Sequence, residues 1–496
     1  MVPRWIPGRP AAPALVLAAA LVAGSGCIAD TSDPPTPHDG WAAAAPDPHL
    51  QDQAAEATRA AVASRTLVRL TPGAPAEPFF EAVWAAGGWV EAWHPAAGIA
   101  TARGLGQNAV RSVAGLPGVR GAAPDAVVRL DRRAGAPVAA PLDAKASGDP
   151  AEAAELARQW HLEAIGAPRA WDAQRLGTPE VTVAVLDTGI DAMHRELVGR
   201  VDDARSISLT DADDAALAAR FPDRPAWTDL AFHGTHVAST VASNAHGAAG
   251  VTARTTLMAV KVLGMDGTGS YADVVRGILH ATDEGADVIN MSLGGPLSRT
   301  HHRTLIDALE DAVRYAVGRG VTLVAASGND GMDLDADPDL YFAPCSAAGV
   351  ICVGATGPAG AEGPTGPFEN PDAVAPYANY GRAVDVAAPG GWEAPVWGAC
   401  PGTSLVFAPC RGSDGYLVGL TGTSMAAPHA SGLAALLVER RGRRPAAVRR
   451  SLERLSLDLG APGRDPHYGH GRIDVPTALG LPLPDNFRDH YEPPRP

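Results

Sequence analysis

The stretch VTVAVLDTGID at residues 181–191 decides the fold class. Its first six residues are almost all apolar and lack the alternation of a half-exposed strand, so we expect a strand buried on both faces. Predicted helices separate it from three similar runs, LMAVKVL (257–263), DVIN (287–290) and VTLVAAS (321–327). Buried strands joined by helices predict an α/β domain over residues 159–481, a three-layer sandwich around a mostly parallel sheet.

A smaller domain is predicted before it. Residues 65–131 read β-α-β-β-α-β, from RTLVRL (65–70) to VRGAAPDAVVRL (119–130), which is typical of a ferredoxin-like α+β sandwich. The flanking segments are rich in Ala, Pro and Asp and have little apolar periodicity. We therefore interpret residues 27–64 as a flexible tether and residues 132–158 as an exposed linker.

The first 26 residues are typical of an export signal. Arg4 and Arg9 precede the apolar run PALVLAAALVA, which is well short of the ~20 residues that span a bilayer. We therefore predict export from a bacterial cell, either as a secreted protein or as one held at the envelope. Cys27 follows directly and resembles the lipidated cysteine of bacterial lipoproteins, which would anchor the chain to a membrane. An ordinary signal followed by a stray thiol is the alternative.

Composition excludes some partners. The net charge is −15 and no long basic run offsets it, so we expect no nucleic-acid partner. Residues 482–496 form a short charged, Pro-containing tail. Four cysteines remain besides Cys27, and an exported chain can oxidise them to two disulfides. Of the three possible pairings, short loops favour Cys345–Cys352 and Cys400–Cys410, but the sequence leaves the choice open.

Three segments carry residues suited to nucleophilic catalysis. Asp187 ends the first buried strand, where a carboxylate can orient a histidine. His233 opens the helical run HGTHVASTVAS, and Gly234 lets another backbone approach closely. Ser424 follows a Gly-Thr turn and opens a helix, whose free N–H groups suit an oxyanion. Taken alone, these residues could be a turn aspartate, a structural histidine and a helix cap.

Two neighbouring features refine this site. His233 and His236 form an H-x-x-H pair, but the Glu and the i,i+4 spacing of a zinc-peptidase helix are missing. We therefore predict no metal site there and a packed or hydrogen-bonded His236. The strand VTLVAAS ends in Ser327-Gly328-Asn329, where the Asn329 amide can donate to an oxyanion. A simple turn is the alternative for these three residues.

In order along the chain, DTGID, HGTHVA, SGNDG and GTSMAAPH resemble the motif set of subtilisin-like serine peptidases. INMSLGG and YGHGRIDV resemble that family as well. The resemblance implies a serine endopeptidase that hydrolyses protein and peptide substrates through an acyl-enzyme and requires no cofactor for the chemistry. A non-catalytic relative kept for binding is the competing class, and loss of a catalytic residue would indicate it. All four catalytic candidates are present.

The resemblance also implies roles for individual residues. Ser424 would be the nucleophile, His233 the general base and then acid, and Asp187 the orienting carboxylate. Asn329 and the Ser424 backbone N–H would form the oxyanion hole. The residues that would pair with the substrate backbone are Ser292, Leu293 and Gly294. The residues that would form the wall of the primary specificity pocket are Ala326, Ser327 and Gly328.

The motif LPGVRGAAPDAVV (116–128) is similar to the subtilisin propeptide. This similarity implies that residues 65–131 act as an intramolecular chaperone and inhibitor, and that the zymogen cleaves itself in the 132–158 linker. An unrelated α+β binding domain is the alternative.

Structural calcium is possible but unsupported. The family's calcium loop looks shortened at SNAHGAAGV (243–251), and Glu196 stands where an aspartate is often found. The acidic stretch DGMDLDADPDL (330–340) could ligate calcium, but Pro338 falls where an EF-hand needs Gly. A solvated acidic loop is the alternative.

Two features bear on cleavage specificity. Counting back from Val353-Gly354 places Phe342 near the pocket floor, where it would oppose large aromatic side chains. Aspartates that follow Asn329 could line the rim and attract Lys or Arg weakly. If that loop faces solvent instead, we expect a broad preference for medium-sized apolar residues.

Overall fold

The structure, a computed structural model, describes residues 48–130, 137–141, 148–412 and 416–482. The predicted export signal, Cys27 and nearly all of the predicted tail lie outside these residues. Within the described part of the chain, no helix combines the length and the apolar character that a membrane crossing requires.

The N-terminal region is a small α+β domain with one helix before it and two short strands after it. Its elements are α1 (Pro48–Ser64), β1 (Arg65–Leu70), α2 (Glu77–Ala85), β2 (Trp89–His94), β3 (Ile99–Arg103), α3 (Gln107–Ala114), β4 (Val119–Pro124), β5 (Val127–Arg129) and β6 (Val138–Pro141). Strands β1–β4 form an antiparallel sheet in the order β2-β3-β1-β4, with a core that includes Val68, Phe79 and Val83. The predicted β-α-β-β-α-β order is confirmed.

The prediction of a flexible tether was wrong for residues 48–64, because they form helix α1. The segment contains six alanines among its 17 residues, and Ala favours helices. It has only a narrow buried stripe, in which Ala54, Thr58 and Val62 follow one another at intervals of four residues. Such a stripe of small residues gives little apolar signal, and the helix is stabilised by packing on the rest of the molecule.

The larger domain follows the linker. Its helices are α4 (Trp160–Ala164), α5 (Ala167–Asp172), α6 (Asp214–Arg220), α7 (His233–Val241), α8 (Tyr271–Asp283), α9 (Arg303–Gly318), α10 (Thr423–Arg441), α11 (Pro445–Leu455) and α12 (Val475–Ala478). Its strands are β7 (Thr182–Asp187), β8 (Ile207–Ser208), β9 (Thr256–Lys261), β10 (Thr268–Ser270), β11 (Val288–Met291), β12 (Gly295–Ser298), β13 (Thr322–Ala326), β14 (Leu340–Ala343), β15 (Val350–Gly357), β16 (Gly360–Ala361), β17 (Phe368–Glu369), β18 (Ala373–Val374), β19 (Val386–Pro389), β20 (Val396–Ala399) and β21 (Tyr416–Leu420).

The predicted mostly parallel sheet is confirmed. It runs β18-β15-β13-β11-β7-β9-β8, with β19 also paired to β15, and only the β15–β18 pair is antiparallel. Strand β7 shows why the apolar run is continuous. Val183 and Val185 pack in the core shared with α7 and α10, whereas Ala184 and Leu186 pack in the core shared with α8 and α9. Both faces of the strand are buried, so both sets of side chains are apolar.

The small domain docks on helices α8 and α9 through ion pairs and through a shared apolar core that includes Leu67 and Ile99. Arg65 is buried and lies 2.7 Å from the Asp273 carboxylate. Arg69 lies 2.8 Å from Asp311 and 2.7 Å from Asp307. Positive charge on β1 thus faces negative charge on α8 and α9.

Both short-loop cysteine pairs are disulfides in the structure. Cys345 is bonded to Cys352, with their Cα atoms 4.8 Å apart. Cys400 is bonded to Cys410, with a Cα separation of 5.5 Å. Of the three pairings that the sequence allows, the structure has the one that closes the shortest loops.

Candidate active site

Asp187 and His233 form a hydrogen-bonded pair at the carboxyl end of β7. The ring atom Nδ1 of His233 lies 2.7 Å from Oδ1 of Asp187, and the Asp187 side chain is completely buried. The same oxygen accepts the backbone N–H of Thr188 at 2.7 Å. This geometry fixes the imidazole so that Nε2 is the ring nitrogen available for proton transfer.

Asp229, which the sequence analysis missed, ties the turn after β7 to the start of α7. Its carboxylate accepts the hydroxyl of Thr188 at 2.9 Å and the hydroxyl of Thr235 at 2.7 Å. Burial raises the pKa of Asp229, and the positive charge of Lys261 and the hydrogen bonds from Thr235 and Thr188 oppose that shift. Thr188 follows Asp187, and Thr235 lies in the first turn of α7 with His233, so Asp229 ties the predicted carboxylate to the predicted base.

Gly234 allows the start of α7 to approach the backbone of the turn after β7 closely. A Cβ atom at this position would lie 2.1 Å from the Gly189 carbonyl oxygen and 3.2 Å from the Asp187 Cβ. No side chain fits there, so the predicted close backbone approach is confirmed.

Ser424 lies in the first turn of α10 and is 7% exposed. Its hydroxyl donates to the carbonyl oxygen of Ser292 at 3.1 Å, and the Ser292 hydroxyl donates to the Ser424 carbonyl oxygen at 2.7 Å. Gly422 precedes this turn with φ +153°, a backbone conformation that favours glycine. The predicted nucleophile therefore lies against the predicted substrate-binding segment that follows β11.

Asn329 is oriented by the residue before the serine. Its Oδ1 accepts the Thr423 backbone N–H at 2.8 Å and the Thr423 hydroxyl at 2.9 Å. Two donors on Oδ1 identify that atom as oxygen and leave the NH₂ group on the other branch of the amide. The structure thus brings the predicted oxyanion donor beside Ser424.

Asn379, which the sequence analysis also missed, is hydrogen-bonded to the predicted specificity wall at residues 326–328. The Asn379 amide donates to the Ser327 carbonyl oxygen at 3.0 Å, and the Ser327 hydroxyl donates to the Asn379 carbonyl oxygen at 3.0 Å. Gly328 has φ +99°, and a Cβ there would lie 2.2 Å from Nδ2 of Asn379. This close contact fixes the backbone path of the wall.

Phe342 occupies the space between the two predicted walls. A Cβ atom added at Gly294 would lie 3.1 Å from the Phe342 ring, and one added at Gly328 would lie 2.4 Å from it. The side chain is 3% exposed. The Phe342 ring therefore lies beside both segments that are predicted to form the pocket.

A segment of the chain itself lies in the cleft. Strand β5 pairs with β10 on one side, and Arg129 forms an antiparallel bridge with Gly294 on the other. The Leu130 backbone N–H also donates to the Gly267 carbonyl oxygen at 2.8 Å. An extended peptide thus runs between β10 and the predicted substrate-binding segment.

The loop at residues 243–248 does not fit a calcium ion. Glu196 is fully buried there, and its carboxylate accepts N–H or O–H groups from Ser243, His246, Gly247 and Ala248 at 2.6–3.2 Å. Those donors converge on an anion, whereas calcium needs oxygen ligands that face inward. Across the described parts of the chain, no group of three His, Cys, Asp or Glu side chains could hold a metal ion.

The other two metal interpretations also have structural explanations. His236 is buried, and its Nε2 lies 3.0 Å from the Val396 carbonyl oxygen, so the predicted hydrogen-bonded structural histidine is confirmed. In the acidic loop, Asp339 accepts the hydroxyls of Ser298 and Thr300, and Asp335 pairs with Arg382. These aspartates hold the loop together.

The chain is similar to known proteins over this whole domain. The subtilase family pattern matches residues 178–471. The thermophilic serine proteinase of Bacillus sp. (strain AK1) is 34% identical over 313 residues, or 62% of this chain and 64% of that protein. Thermitase of Thermoactinomyces vulgaris is 30% identical over 326 residues, or 65% of this chain and 96% of that protein.

A solved structure shares the fold over a longer region. The epidermin leader peptide processing serine protease of Staphylococcus aureus is similar with a TM-score of 0.66 at 20% identity, over 84% of this chain and 98% of that chain. Sequence motifs, parallel sheet and site geometry agree with the family match. The chain belongs to the subtilase family of serine endopeptidases.

Proposed function

We propose that the chain is the self-processing zymogen of an exported serine endopeptidase, in which Asp187, His233 and Ser424 form the catalytic triad. The observation that carries this proposal is strand β5 in the cleft. Its antiparallel register places Arg129 opposite Gly294, and in an antiparallel pair each step from Gly294 toward Ser292 corresponds to one step along the chain beyond Arg129. The Ser292 carbonyl oxygen accepts the Ser424 hydroxyl, so the peptide bond after residue 131 is the expected maturation site.

The proposed chemistry assigns one role to each residue of the site. The Ser424 oxygen attacks the scissile carbonyl carbon while Nε2 of His233 takes its proton, and Asp187 stabilises the imidazolium. The carbonyl oxygen becomes an oxyanion that accepts hydrogen bonds from the Asn329 amide and the Ser424 N–H. Collapse forms the acyl-enzyme and breaks the C–N bond, and His233 protonates the leaving amine. Water then adds in the same way and frees Ser424.

The maturation step is tested with the purified full chain. We expect Ser424→Ala to stay unprocessed and to hydrolyse no casein, and N-terminal sequencing of wild-type enzyme to begin at residue 132. Asn329→Ala is the matched control, because it should still fold and bind substrate while kcat falls by roughly 10²–10³ at unchanged KM. Casein hydrolysis by Ser424→Ala at the wild-type rate would show that the triad assignment is wrong.

Export and anchoring complete the proposal. The apolar run at residues 13–23 supports export, and the position of Cys27 directly after Gly24-Ser25-Gly26 supports lipidation. Metabolic labelling with a radioactive fatty acid should mark the wild-type chain and leave Cys27→Ser unlabelled. Unlabelled wild-type enzyme, free in the medium, would contradict the anchor but not export.

A further inference from the structure

Helix α1 packs beside the candidate active site, outside the predicted inhibitory domain. We propose that an apolar surface of the larger domain, the α1 seat, binds this helix and keeps the cleft closed after the linker is cut. The seat consists of Leu217, Leu230, Ala231, Met265 and Leu405. The inference rests on the proposed zymogen function and adds a second inhibitory element to it.

The seat is specific to one face of the helix. Ala54 is 1% exposed and packs among the five seat residues, all of which belong to the larger domain. Leu50, one turn earlier, is partly buried and packs against the same cluster. Ala57, three residues after Ala54, is exposed. The helix therefore docks through a narrow stripe, and residues beside the stripe can be changed without touching the seat.

The seat adjoins the catalytic residues. Ala231 is two residues before His233, and Met265 lies in the segment between β9 and β10, the strand that pairs with β5. Leu405 lies in the loop closed by the Cys400–Cys410 disulfide. A helix bound here therefore packs on segments that lead directly to His233 and to β10.

Helix α1 also covers strand β5. The helix contacts both β5 and β10. A cavity of about 620 Å³ is lined by α1 residues such as Gln51 and Arg59 and by Gly294 and Phe342. The β5 strand lines the same cavity. Outward movement of β5 therefore requires movement of α1.

This arrangement matters once the linker has been cut. Strand β5 is only three residues long and pairs with a three-residue strand, so its own hydrogen bonds hold it weakly. Cleavage after residue 131 removes the covalent restraint on its C-terminal side. Helix α1 remains joined to the small domain at β1, and its burial adds an apolar contact to the ion pairs that hold that domain.

The test uses three variants of the full chain. Ala54→Asp places a carboxylate in the seat, where burial of an unpaired charge is strongly unfavourable. Ala57→Asp makes the same change on the exposed face and is the matched control. Ala57→Pro leaves the seat intact and breaks the helix, because proline in a helix interior removes a hydrogen bond and clashes with the preceding turn.

The primary measurement follows linker cleavage on gels and casein hydrolysis in time. We expect equal cleavage rates in all four chains, and a lag before full activity that is roughly tenfold shorter in Ala54→Asp and Ala57→Pro than in wild type and Ala57→Asp. Should Ala54→Asp fail to fold, Ala57→Pro decides the question. An unchanged lag in Ala57→Pro overturns the inference.

A second measurement does not depend on processing. In the Ser424→Ala full chain, we expect amide hydrogen exchange of β5 and β10 to be at least about tenfold faster with Ala57→Pro and unchanged with Ala57→Asp. Equal exchange rates of β5 and β10 in the two variants would overturn the proposed role of the α1 seat, even if the enzyme matures normally. A wild-type chain that never cuts its linker would contradict the zymogen proposal, while this experiment would still test the seat.

Discussion

At the scale of single residues, Phe342 shapes the candidate substrate pocket. Its ring lies between Gly294 and Gly328, the two glycines whose missing side chains would otherwise leave space for a substrate residue. Of the predicted acidic rim, only Asp330 lines the same cavity as Phe342 among the described residues. The other four aspartates mostly bond within their own loop or to its neighbours. We therefore expect steric exclusion to outweigh weak charge attraction in setting specificity.

We predict that the wild-type enzyme prefers small residues before the scissile bond. Phe342→Ala should raise kcat/KM for a substrate with Phe at that position by at least about tenfold, because it opens a pocket of aromatic size. For the matching substrate with Ala, kcat/KM should stay within about threefold. Peptide-library cleavage by both enzymes at low and high salt provides the measurement. A wild-type preference for Phe or Tyr that salt leaves unchanged would contradict the prediction.

The reactive residues could be predicted from the sequence because each stands in a distinctive motif. Asp229 and Asn379 could not, although both hold the site together. Asp229 acts through Thr188 and Thr235, and Asn379 acts through Ser327, about fifty residues away in sequence. Their roles exist only once the chain has folded, and an isolated aspartate or asparagine gives no local signal.

At the scale of elements, the loop after α7 is held by one carboxylate. Glu196 accepts four hydrogen bonds from residues 243–248 and is fully buried. A neutral amide at this position would present an NH₂ group to backbone N–H donors. The loop would then contain unsatisfied buried groups, each of which costs about 1–3 kcal/mol.

We predict that Glu196→Gln lowers the free energy of unfolding by roughly 2–4 kcal/mol. Thermal and urea unfolding in a Ser424→Ala background, which avoids self-digestion, measure the change. Glu439→Gln on the exposed end of α10 serves as the control and should change stability by less than about 0.5 kcal/mol. A chelator should leave the unfolding midpoint of the parent chain unchanged. A chelator-induced drop as large as that of Glu196→Gln would show that calcium stabilises the loop.

The elements that the sequence predicted best are those with a strong local pattern. Strand β7 carries a continuous apolar run because both of its faces are buried. In contrast, β5 and β6 are short and are extended only because β10 and β21 pair with them. Helix α1 was missed because its buried stripe consists of small residues. Non-local pairing decides such segments, and local composition does not reveal it.

At the scale of the whole molecule, three buried histidines link stability to pH. His161, His236 and His429 are fully buried, and Nδ1 of His161 lies 2.8 Å from Nε2 of His429. Burial lowers the pKa of His236 to about 3 and of His429 to about 4. Burial and the neighbouring His429 lower the pKa of His161 well below its usual range.

We predict that acid destabilises the protein below about pH 6.5. The unfolded chain binds protons on these histidines near pH 6.5, whereas the folded chain keeps them neutral. Stability is therefore fully present above pH 6.5 and is lost as pH falls, by up to ~1.4 kcal/mol per pH unit for each histidine. Burial raises the pKa of Asp125 to about 6. The folded chain therefore binds a proton there that the unfolded chain lacks, which reduces the net proton uptake on unfolding by up to one.

Urea unfolding of the Ser424→Ala chain between pH 7 and 5 measures this dependence. Replacing one buried histidine, as in His161→Gln, should reduce the proton uptake on unfolding by about one. His301→Gln, at an exposed position, should leave the uptake unchanged. Equal pH slopes in the parent and in His161→Gln would mean that His161 is protonated in the folded protein.

Strand β6 pairs with β21, and three residues separate β21 from Ser424. After cleavage at residue 131, a segment of six residues would join the new amino terminus to β6, so the amine would stay tethered near the acyl group that it has just left. A tethered amine has a millimolar effective concentration and competes with water for the ester. Maturation is then a reversible transpeptidation until β6 separates from β21 or water intercepts the acyl-enzyme. We expect cut and uncut chains to coexist for as long as the linker strand stays in place.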